Sequence, residues 1–262
     1  MKSSTKVSVG IIGGSGLEDL LDEANHIQVG TPFGLVPSMS IGKLKTEKVA
    51  FLPRHKTGHT VPPHRINYRA NILGLHQVGV ERVLATNAVG ALTQNLKPGS
   101  LVVPKDFMDF TKLREGTFYD EGRVAHVDMS YPYCPEIRSV LMRAGERVGQ
   151  KIWGEAVLAC TEGPRYETPA EVRMLQSLGC DIVGMTGVPE AALAREMQMC
   201  YASLCYVSNM AVGLQNRQIT SELASIANRM KPTIREVLIG AIMSLPKTRN
   251  CVCAHALENA RL

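Results

Sequence analysis

The stretch that most constrains the fold is residues 161–196, TEGPRYETPAEVRMLQSLGCDIVGMTGVPEAALARE. Glycine and proline predict a turn-rich loop over 162–168, and apolar residues at helical spacing then predict an amphipathic helix that stops near Gly179. Residues 180–183 predict a strand, and a second helix is predicted to begin near Pro189. Proline costs nothing there, because the first amide of a helix has no partner anyway. In α/β proteins, a strand end beside a helix N-terminus is a place that holds anions.

The rest of the chain also alternates short apolar runs with amphipathic segments. Strands are predicted at 7–12, 49–53, 82–87, 101–104, 155–160 and 200–208, and helices at 67–75, 135–149, 220–231 and 232–244. Residues 106–128 predict an irregular polar loop, and 246–262 predict a loosely held tail. The alternation predicts an α/β fold in which residues 1–262 form a single domain, with a mixed central β-sheet flanked by helices.

Composition narrows the classes of function. The 262 residues are 45% hydrophobic and carry a net charge of +5, but the basic residues are scattered and form no run of the kind that binds nucleic acid. No apolar run reaches the ~20 residues of a membrane span, and the N-terminus lacks a secretory signal pattern. We therefore expect a cytoplasmic protein that contacts neither nucleic acid nor membrane. Its mildly basic balance fits a small anionic substrate at least as well as nucleic acid.

The seven cysteines show no zinc-finger spacing. Most stand in apolar context, which predicts small buried side chains. The pair Cys251 and Cys253, separated by one valine near the C-terminus, leaves alternatives open: a strained disulfide, a redox pair or two free thiols.

A glycine-rich turn, Gly13-Gly14-Ser15-Gly16, follows the first predicted strand. A strand, a glycine turn and a helix start let backbone amides and a serine hydroxyl hold a phosphate, but a plain tight turn has the same sequence. The dinucleotide fingerprint fails because Asp19 stands where the last glycine should be, and no Walker Gly-Lys-Ser/Thr follows. These failures disfavour a nucleotide-binding dehydrogenase.

Basic side chains follow the second predicted strand. Arg54 and His55 are either an anion grip, since arginine offers phosphate a planar fork of donors, or a solvated basic loop. His55, His59 and His64 raise the alternative of a metal-dependent hydrolase. Glycine and prolines break any helix between them and no HExxH glutamate is present, so we expect no metal here.

Six short motifs occur together and in order: GGSG at 13–16, PRH at 53–55, NAVG at 87–90, EGPRYET at 162–168, GMTGVPEA at 184–191 and SN at 208–209. Over roughly residues 7–245 the chain resembles the trimeric nucleoside phosphorylase family, which includes purine nucleoside and methylthioadenosine phosphorylases. The resemblance implies a homotrimer that cleaves an N-glycosidic bond with inorganic phosphate as co-substrate and without a cofactor.

The resemblance also implies roles for individual residues. The phosphate-binding residues would be Ser15, Arg54, His55, Ala88 (through its backbone amide) and Thr186. Met185 would lie against the ribose, and Tyr166 would pack on the purine face. Catalysis would depend mainly on Asn209, Glu167 and His55, because a cationic sugar between two anions is stabilised by placement and charge.

The expected base pocket distinguishes 6-oxopurines from 6-aminopurines. A carboxylate at Glu167 accepts the N1–H of hypoxanthine or guanine, whereas adenine presents a bare N1 acceptor. The Asn209 amide donates to O6 or N7 as negative charge builds on the leaving base. Adenine-specific relatives carry Asp at the Asn209 position and a small polar residue at the Glu167 position. The residues alone leave two alternatives open: Asn209 as the cap of a strand end, and Glu167 as an exposed loop acid.

The sugar pocket has features of two subfamilies. His126 begins HVDMSYPY, which resembles the HxxMxxPF pattern of methylthioadenosine-type relatives, whose histidine reaches a neighbouring subunit's 5′ pocket. Ser221 stands where inosine enzymes often carry a histidine that bonds the 5′-hydroxyl. The combination predicts 5′-methylthioinosine as substrate, with inosine and guanosine in competition. Methylthioadenosine phosphorylase and a non-catalytic purine-binding module are the alternatives.

Overall fold

The computed structural model describes residues 7–14, 17, 20–215 and 220–260. Eleven strands among these residues form one mixed sheet: β1 (Val9–Gly13), β2 (Asp22–Thr31), β3 (Gly34–Leu44), β4 (Glu47–Pro53), β5 (Arg82–Ala91), β6 (Leu101–Val102), β7 (Asp106–Phe110), β8 (Ile152–Trp153), β9 (Val157–Thr161), β10 (Ile182–Gly184) and β11 (Cys200–Met210). The α-helices in this part of the chain are α1 (Tyr68–Gln77), α2 (Pro135–Arg147), α3 (Pro169–Ser177), α4 (Val188–Glu196) and α5 (Thr220–Ile242).

The centre of the sheet is β5. It pairs in parallel with β1 and β11 and antiparallel with β10, while β10, β9 and β7 continue the sheet in one direction and β1, β4, β3 and β2 in the other. Nearly every side chain of β1, β5 and β11 is buried, as expected for strands covered by helices on both faces. The predicted fold class, an α/β fold with a mixed sheet, is confirmed.

The structure differs from the predicted elements in three places. The polar hairpin β2–β3 was not predicted, because the side chains of β2 are mostly exposed and carry no alternating apolar pattern. Part of the predicted irregular loop, Asp106–Phe110, is strand β7, which pairs with β9. The two predicted C-terminal helices are one helix that contains Pro232 in its interior. Burial of its next turns, including Val237 and Leu238, offsets the cost of ~3 kcal/mol of an internal proline.

Residues 246–260, which the sequence predicts to be a loosely held tail, contact the rest of the protein at several points. The Arg82 guanidinium donates to the Pro246 carbonyl at 2.9 Å, and Arg249 donates to the Gln198 carbonyl at 2.8 Å. Cys253 is also buried in the main hydrophobic core. The sequence predicts a tail because the segment is rich in polar residues, and this pattern does not reveal the few contacts that anchor it. No helix in the described part of the chain combines the length and the apolar character that crossing a bilayer requires.

Candidate active site

A gap opens beside β5 in the middle of the sheet. The last pair between β1 and β5 joins Ile12 to Ala85, and the first pair between β10 and β5 joins Val183 to Gly90. The intervening residues of β5 have no strand partner on that side. Ala88 is the one exposed residue of this otherwise buried strand. Crevices of this kind, where neighbouring strands leave a sheet, are the usual ligand sites of open α/β folds.

Backbone geometry points the Ala88 amide into this gap. The Arg54 guanidinium donates to the Thr86 carbonyl at 2.7 Å, so the backbone polar groups of Thr86 point toward the end of β4. Peptide orientation in a strand repeats every second residue, so the N–H of Ala88 points to the same side. An amide there is available to an anion.

Arg54 is a neutralised cation. It is buried, and its Nε and Nη2 atoms donate to the two carboxylate oxygens of Glu190 at 2.5 and 2.9 Å. Burial alone would lower the pKa of the guanidinium, but the adjacent Glu190 carboxylate raises that pKa above its ordinary value. Tyr201 donates to the same carboxylate at 2.7 Å. The described residues occupy three of the five N–H groups of Arg54 and leave two for a ligand, without net positive charge.

His55 is a neutral imidazole with a defined proton. Burial, followed by the positive charge of Arg54, lowers its pKa to about 4. Nδ1 lies 2.8 Å from the Val61 carbonyl, which can only accept, so Nδ1 carries the proton. Its ring stacks on His59 at 4.2 Å. Nε2 therefore offers a lone pair, to which a protonated phosphate oxygen can donate.

Hydroxyl and amide groups complete this anion cluster. Asn87 donates through Nδ2 to the Thr186 hydroxyl at 2.7 Å and accepts a hydrogen bond from Ser203. The Thr86 hydroxyl accepts from the Gly14 amide at 3.4 Å, which places the glycine-rich turn next to β5. The predicted phosphate ligand Ser15 lies outside the described residues. The anion cluster, defined as Arg54, His55, Thr86, Ala88 and Thr186, thus gathers four of the five predicted phosphate residues.

Glu167 lies in a second group of side chains at the end of β9. It is 7% exposed, so the reading of Glu167 as an exposed loop acid does not apply. The Thr161 hydroxyl donates to its Oε1 at 2.7 Å, and the hydrogen bonds among the described residues leave Oε2 available to a ligand. Neighbouring Tyr166 is 43% exposed, which leaves its ring open to pack on a ligand. Partial burial, and then the charge of Glu167, raises the pKa of the Tyr166 phenol.

Local contacts fix the orientation of the Asn209 amide. Its Nδ2 donates to the Met210 carbonyl at 2.9 Å, and its Oδ1 accepts from the Ser208 hydroxyl at 2.7 Å. A flipped amide would set two acceptors, Oδ1 and the Met210 carbonyl, against each other. Nδ2 therefore retains one N–H for a ligand. A Cβ at Gly90 would lie 3.2 Å from Nδ2, so glycine gives the amide its space.

Strand register places these groups at one level of the sheet. Gly184 pairs with Cys160, Val183 pairs with Gly90, and Gly90 pairs with Asn209. With ~4.8 Å between neighbouring strands, Asn209 and the end of β9 stand ~14 Å apart along this row. Ala88 precedes Gly90 by two residues, or ~7 Å. The anion cluster and the Glu167–Asn209 pair are thus neighbours at the same sheet edge.

Met185 connects the two groups. Its carbonyl accepts from the Arg114 guanidinium at 2.7 Å, and Arg114 also donates to the Glu162 carbonyl at 2.7 Å. The loop before Glu167 comes so close that a Cβ at Gly163 would meet the Met185 sulfur at 2.6 Å. Gly163 also has a φ of +64°, which favours glycine. The buried guanidinium of Arg114 therefore ties the loops of β9 and β10 together.

The structure does not join the other two predicted ribose residues to these groups. His126 is exposed, and its backbone amide donates to the Ala260 carbonyl at 2.7 Å. Ser221 is exposed in the first turn of α5, directly after the undescribed residues 216–219. Among the described residues, no side-chain hydrogen bond links either one to Met185. The expected role of His126 at a neighbouring subunit stays a prediction.

Three site residues were missed by sequence reasoning: Glu190, Asn87 and Arg114. Glu190 carried a signal, since an acidic residue in the first turn of a buried helix requires a cationic partner. Asn87, at the end of an apolar strand, also indicates a partnered polar group. Arg114 lies in an irregular segment, and no sequence pattern predicts its contacts.

Comparison with known proteins agrees with this architecture. Residues 8–242 match the model of the phosphorylase superfamily. A probable S-methyl-5′-thioinosine phosphorylase of Methanothermobacter thermautotrophicus is 47% identical over 256 residues, covering 96% of this chain and 89% of the relative. The 6-oxopurine nucleoside phosphorylase of Pyrococcus furiosus is 44% identical over 261 residues, covering 96% and 98%.

A solved structure has the same fold. The crystal structure of a methylthioadenosine phosphorylase from an antarctic soil metagenomic library superposes with a TM-score of 0.91 and 35% sequence identity, covering 98% of this chain and 93% of that one. The resemblance drawn from the six motifs is therefore confirmed. The family model spans most of the chain, and the relatives are similar along nearly their whole length. This chain belongs to the phosphorylase superfamily.

Proposed function

We propose that the chain is a purine nucleoside phosphorylase that cleaves 6-oxopurine nucleosides, with 5′-methylthioinosine, inosine and guanosine as its substrates. Phosphate would attack the anomeric carbon of the sugar, forming a new C–O bond. The bond from that carbon to N9 breaks, and its electron pair leaves with the purine. The products are the free base and ribose 1-phosphate or 5-methylthioribose 1-phosphate. The family membership and the names of the relatives support this reaction.

The anion cluster supports phosphate as the co-substrate. It offers N–H donors from Arg54 and Ala88, the hydroxyl of Thr186 and the Nε2 lone pair of His55. Because Glu190 neutralises Arg54, binding would depend on oriented donors rather than on excess positive charge. Such donors would hold phosphate beside a cationic sugar without reorganising during the reaction. Ser15 is proposed as a further ligand from the resemblance alone.

The orientation of the Asn209 amide is the observation that carries the base preference. One N–H of the Asn209 Nδ2 group donates to the Met210 carbonyl, so the second N–H would be the one that donates to a ligand. A donor suits the O6 or N7 of a 6-oxopurine, and the open Oε2 of Glu167 suits its N1–H. Tyr166 would pack on the purine face. A site of buried polar groups rejects the wrong hydrogen-bonding pattern by ~10⁴ in favourable cases.

The sugar end supports a 5′-methylthio substituent. Met185, proposed to lie against the ribose, is apolar, and Ser221 replaces a histidine that would bond a 5′-hydroxyl. One of the relatives described above is named for methylthioinosine and one solved structure for methylthioadenosine. Because that solved structure is a methylthioadenosine phosphorylase, methylthioadenosine phosphorolysis is the second candidate function.

Assembly and location follow from the same proposal. We propose a homotrimer in which His126 reaches the 5′ pocket of a neighbouring subunit, and a cytoplasmic role in purine salvage. Two large apolar side chains are exposed before and after His126 in the sequence: Leu113 at 85% and Tyr131 at 59%. A subunit interface at this loop would cover them. Sedimentation equilibrium that gives the mass of one chain would contradict the trimer.

The proposed function is tested by a four-substrate assay. Base release from methylthioinosine, inosine, guanosine and methylthioadenosine is measured with and without inorganic phosphate. We expect turnover only with phosphate, and kcat/KM at least ~10²-fold higher for the 6-oxopurines than for methylthioadenosine. A wide preference for methylthioadenosine would select the second candidate, phosphate-independent release would indicate a nucleosidase, and binding without turnover would indicate a binding module.

A further inference from the structure

Four cysteines from three distant segments meet in one buried cluster. Cys134 precedes α2, Cys200 begins β11, and Cys251 and Cys253 lie in the C-terminal segment. Their sulfur atoms all lie within 4.8 Å of one another, and the Sγ atoms of Cys200 and Cys251 are 3.3 Å apart. None of these side chains is more than 8% exposed. We call these four residues the thiol cluster.

The spacing of the thiol cluster suits one tetrahedral ion. A zinc–sulfur bond of ~2.3 Å places tetrahedral sulfurs ~3.8 Å apart, within the range of separations observed here. All four cysteines are free thiols. A multi-iron cluster would bind its cysteines through different iron atoms and hold the sulfurs farther apart than a single ion does. Soft thiolate donors in a set of four favour zinc over magnesium or calcium.

We propose that Cys134, Cys200, Cys251 and Cys253 bind one structural zinc ion. Four protein ligands leave no open position for substrate or water, so the ion would hold the fold together and take no part in phosphorolysis. This site is independent of the proposed base and phosphate pockets.

The backbone supports the ligands in advance. The Cys134 amide donates to the Tyr201 carbonyl at 2.7 Å, and the Cys200 amide donates to the Glu81 carbonyl at 2.8 Å. These bonds fix two ligands on the helix–sheet framework, whereas Cys251 and Cys253 flank one valine at a short 3-10 helix. The metal would therefore link Cys134 and Cys200, which the framework holds in place, to the neighbouring pair Cys251 and Cys253.

Positive charge beside the thiol cluster would stabilise its metal-bound form. Zinc with four thiolates carries two negative charges, which are costly to bury without compensation. Cys134 stands at the N-terminus of α2, a helix of 13 residues whose dipole favours an anion there.

One ligand of the thiol cluster borders the surface. Cys251 lines a surface cleft together with Pro135, Glu136 and Asn250. The Asn250 amide donates to the Glu136 carboxylate at 2.8 Å across this cleft, so the C-terminal segment closes over the site.

Zinc here would anchor the C-terminal segment, and with it the loop that carries His126. That loop contacts the segment through the bond from the His126 amide to the Ala260 carbonyl. Removal of the metal is therefore expected to loosen residues 246–260 and lower the thermal midpoint.

The first test uses the full-length chain without an affinity tag. Protein purified without reductant is incubated with equimolar zinc chloride and desalted, and zinc is measured by mass spectrometry. In parallel, thiols of the as-purified protein are counted in denaturant with chelator. We expect about one zinc per chain and all seven thiols titrating. Zinc below about a tenth of an equivalent would overturn the proposal. So would a count of three thiols, because it would mean that the thiol cluster forms two disulfides.

The second test compares matched variants. Cys200→Ser is expected to lose zinc at least ~tenfold, whereas Cys180→Ser, a buried cysteine outside the thiol cluster, retains it. If Cys200→Ser fails to fold, cobalt(II) added to the wild-type protein decides, because four thiolates around cobalt give intense ligand-to-metal absorption and tetrahedral d–d bands. Zinc retained in Cys200→Ser, or wild-type cobalt spectra lacking these bands, would contradict the assignment.

Discussion

Asn209→Asp changes one atom of the base pocket, and the structure predicts its effect. The substitution keeps an oxygen for the Ser208 hydroxyl but replaces the Nδ2 amide with a second oxygen. In the wild type, Nδ2 donates to the Met210 carbonyl at 2.9 Å. In the variant, the new carboxylate oxygen would face that carbonyl as a second acceptor, and it could not donate to a 6-oxopurine.

The magnitude follows from the two hydrogen bonds that are lost. Loss of one preorganised donor to developing negative charge costs ~10²–10³ in kcat, or ~2.7–4 kcal/mol of transition-state stabilisation. The 6-amino group of a 6-aminopurine can donate to the new carboxylate, so these substrates lose less transition-state stabilisation than 6-oxopurines do. We therefore expect the ratio of kcat/KM for 6-aminopurines to kcat/KM for 6-oxopurines to rise by ~10² or more. Setting an acceptor against the Met210 carbonyl also costs ~1–3 kcal/mol of stability.

The assay measures phosphorolysis of methylthioinosine and methylthioadenosine by wild type, Asn209→Asp and a control, Asn95→Asp. Asn95 is exposed on a surface loop, so the control makes the same chemical change without touching the site. Urea unfolding of all three proteins separates a loss of stability from a change of preference. An unchanged substrate ratio in a folded Asn209→Asp protein would refute the assignment of Asn209 as the group that distinguishes the bases.

Three further predictions concern neighbouring groups. Glu190→Gln should lower the free energy of unfolding by ~3–5 kcal/mol, because it strips a buried arginine of its counter-ion; unchanged urea midpoints would oppose this. Glu167→Gln should reduce kcat/KM for inosine ~10²-fold while sparing adenosine, as weaker acceptance of N1–H implies; equal losses in steady-state assays on both nucleosides would argue against direct contact. The pKa of His55 is lowered to about 4 from 6.5, so its neutral form stabilises the fold above pH 6.5, and this contribution is lost as the pH falls toward 4. Urea unfolding at pH 7 and pH 5 should therefore show wild type losing more stability than His55→Gln, and equal losses would count against a buried neutral His55.

Sequence patterns indicated which loops carry the candidate site residues, but they did not predict the charge state of those residues. The motif Pro53-Arg54-His55 indicated an anion grip of two cations, but Glu190 neutralises Arg54 and burial keeps His55 neutral. The Arg54–Glu190 pair joins residues that are 136 positions apart, and no local pattern encodes such a pairing. Ala88 was assigned by resemblance, and its exposure follows from the gap between β1 and β10, which is a property of topology.

The cysteines illustrate the same limit. Spacing along the chain excluded a zinc finger, because zinc-finger patterns hold ligands in local pairs. The thiol cluster contains one local pair, Cys251 and Cys253, and completes the set with Cys134 and Cys200 from other elements. Strong strands such as β5 were predicted from buried apolar runs, whereas β2 was missed because its side chains face solvent.

The central claim is that ends of neighbouring strands form one pocket for phosphate and a 6-oxopurine. A crystal structure of the protein with inorganic phosphate and hypoxanthine tests it most directly. We predict phosphate against Arg54, the Ala88 amide and Thr186, and hypoxanthine between Glu167 and Asn209. Phosphate or base bound at a separate surface, with these side chains left untouched, would contradict the account.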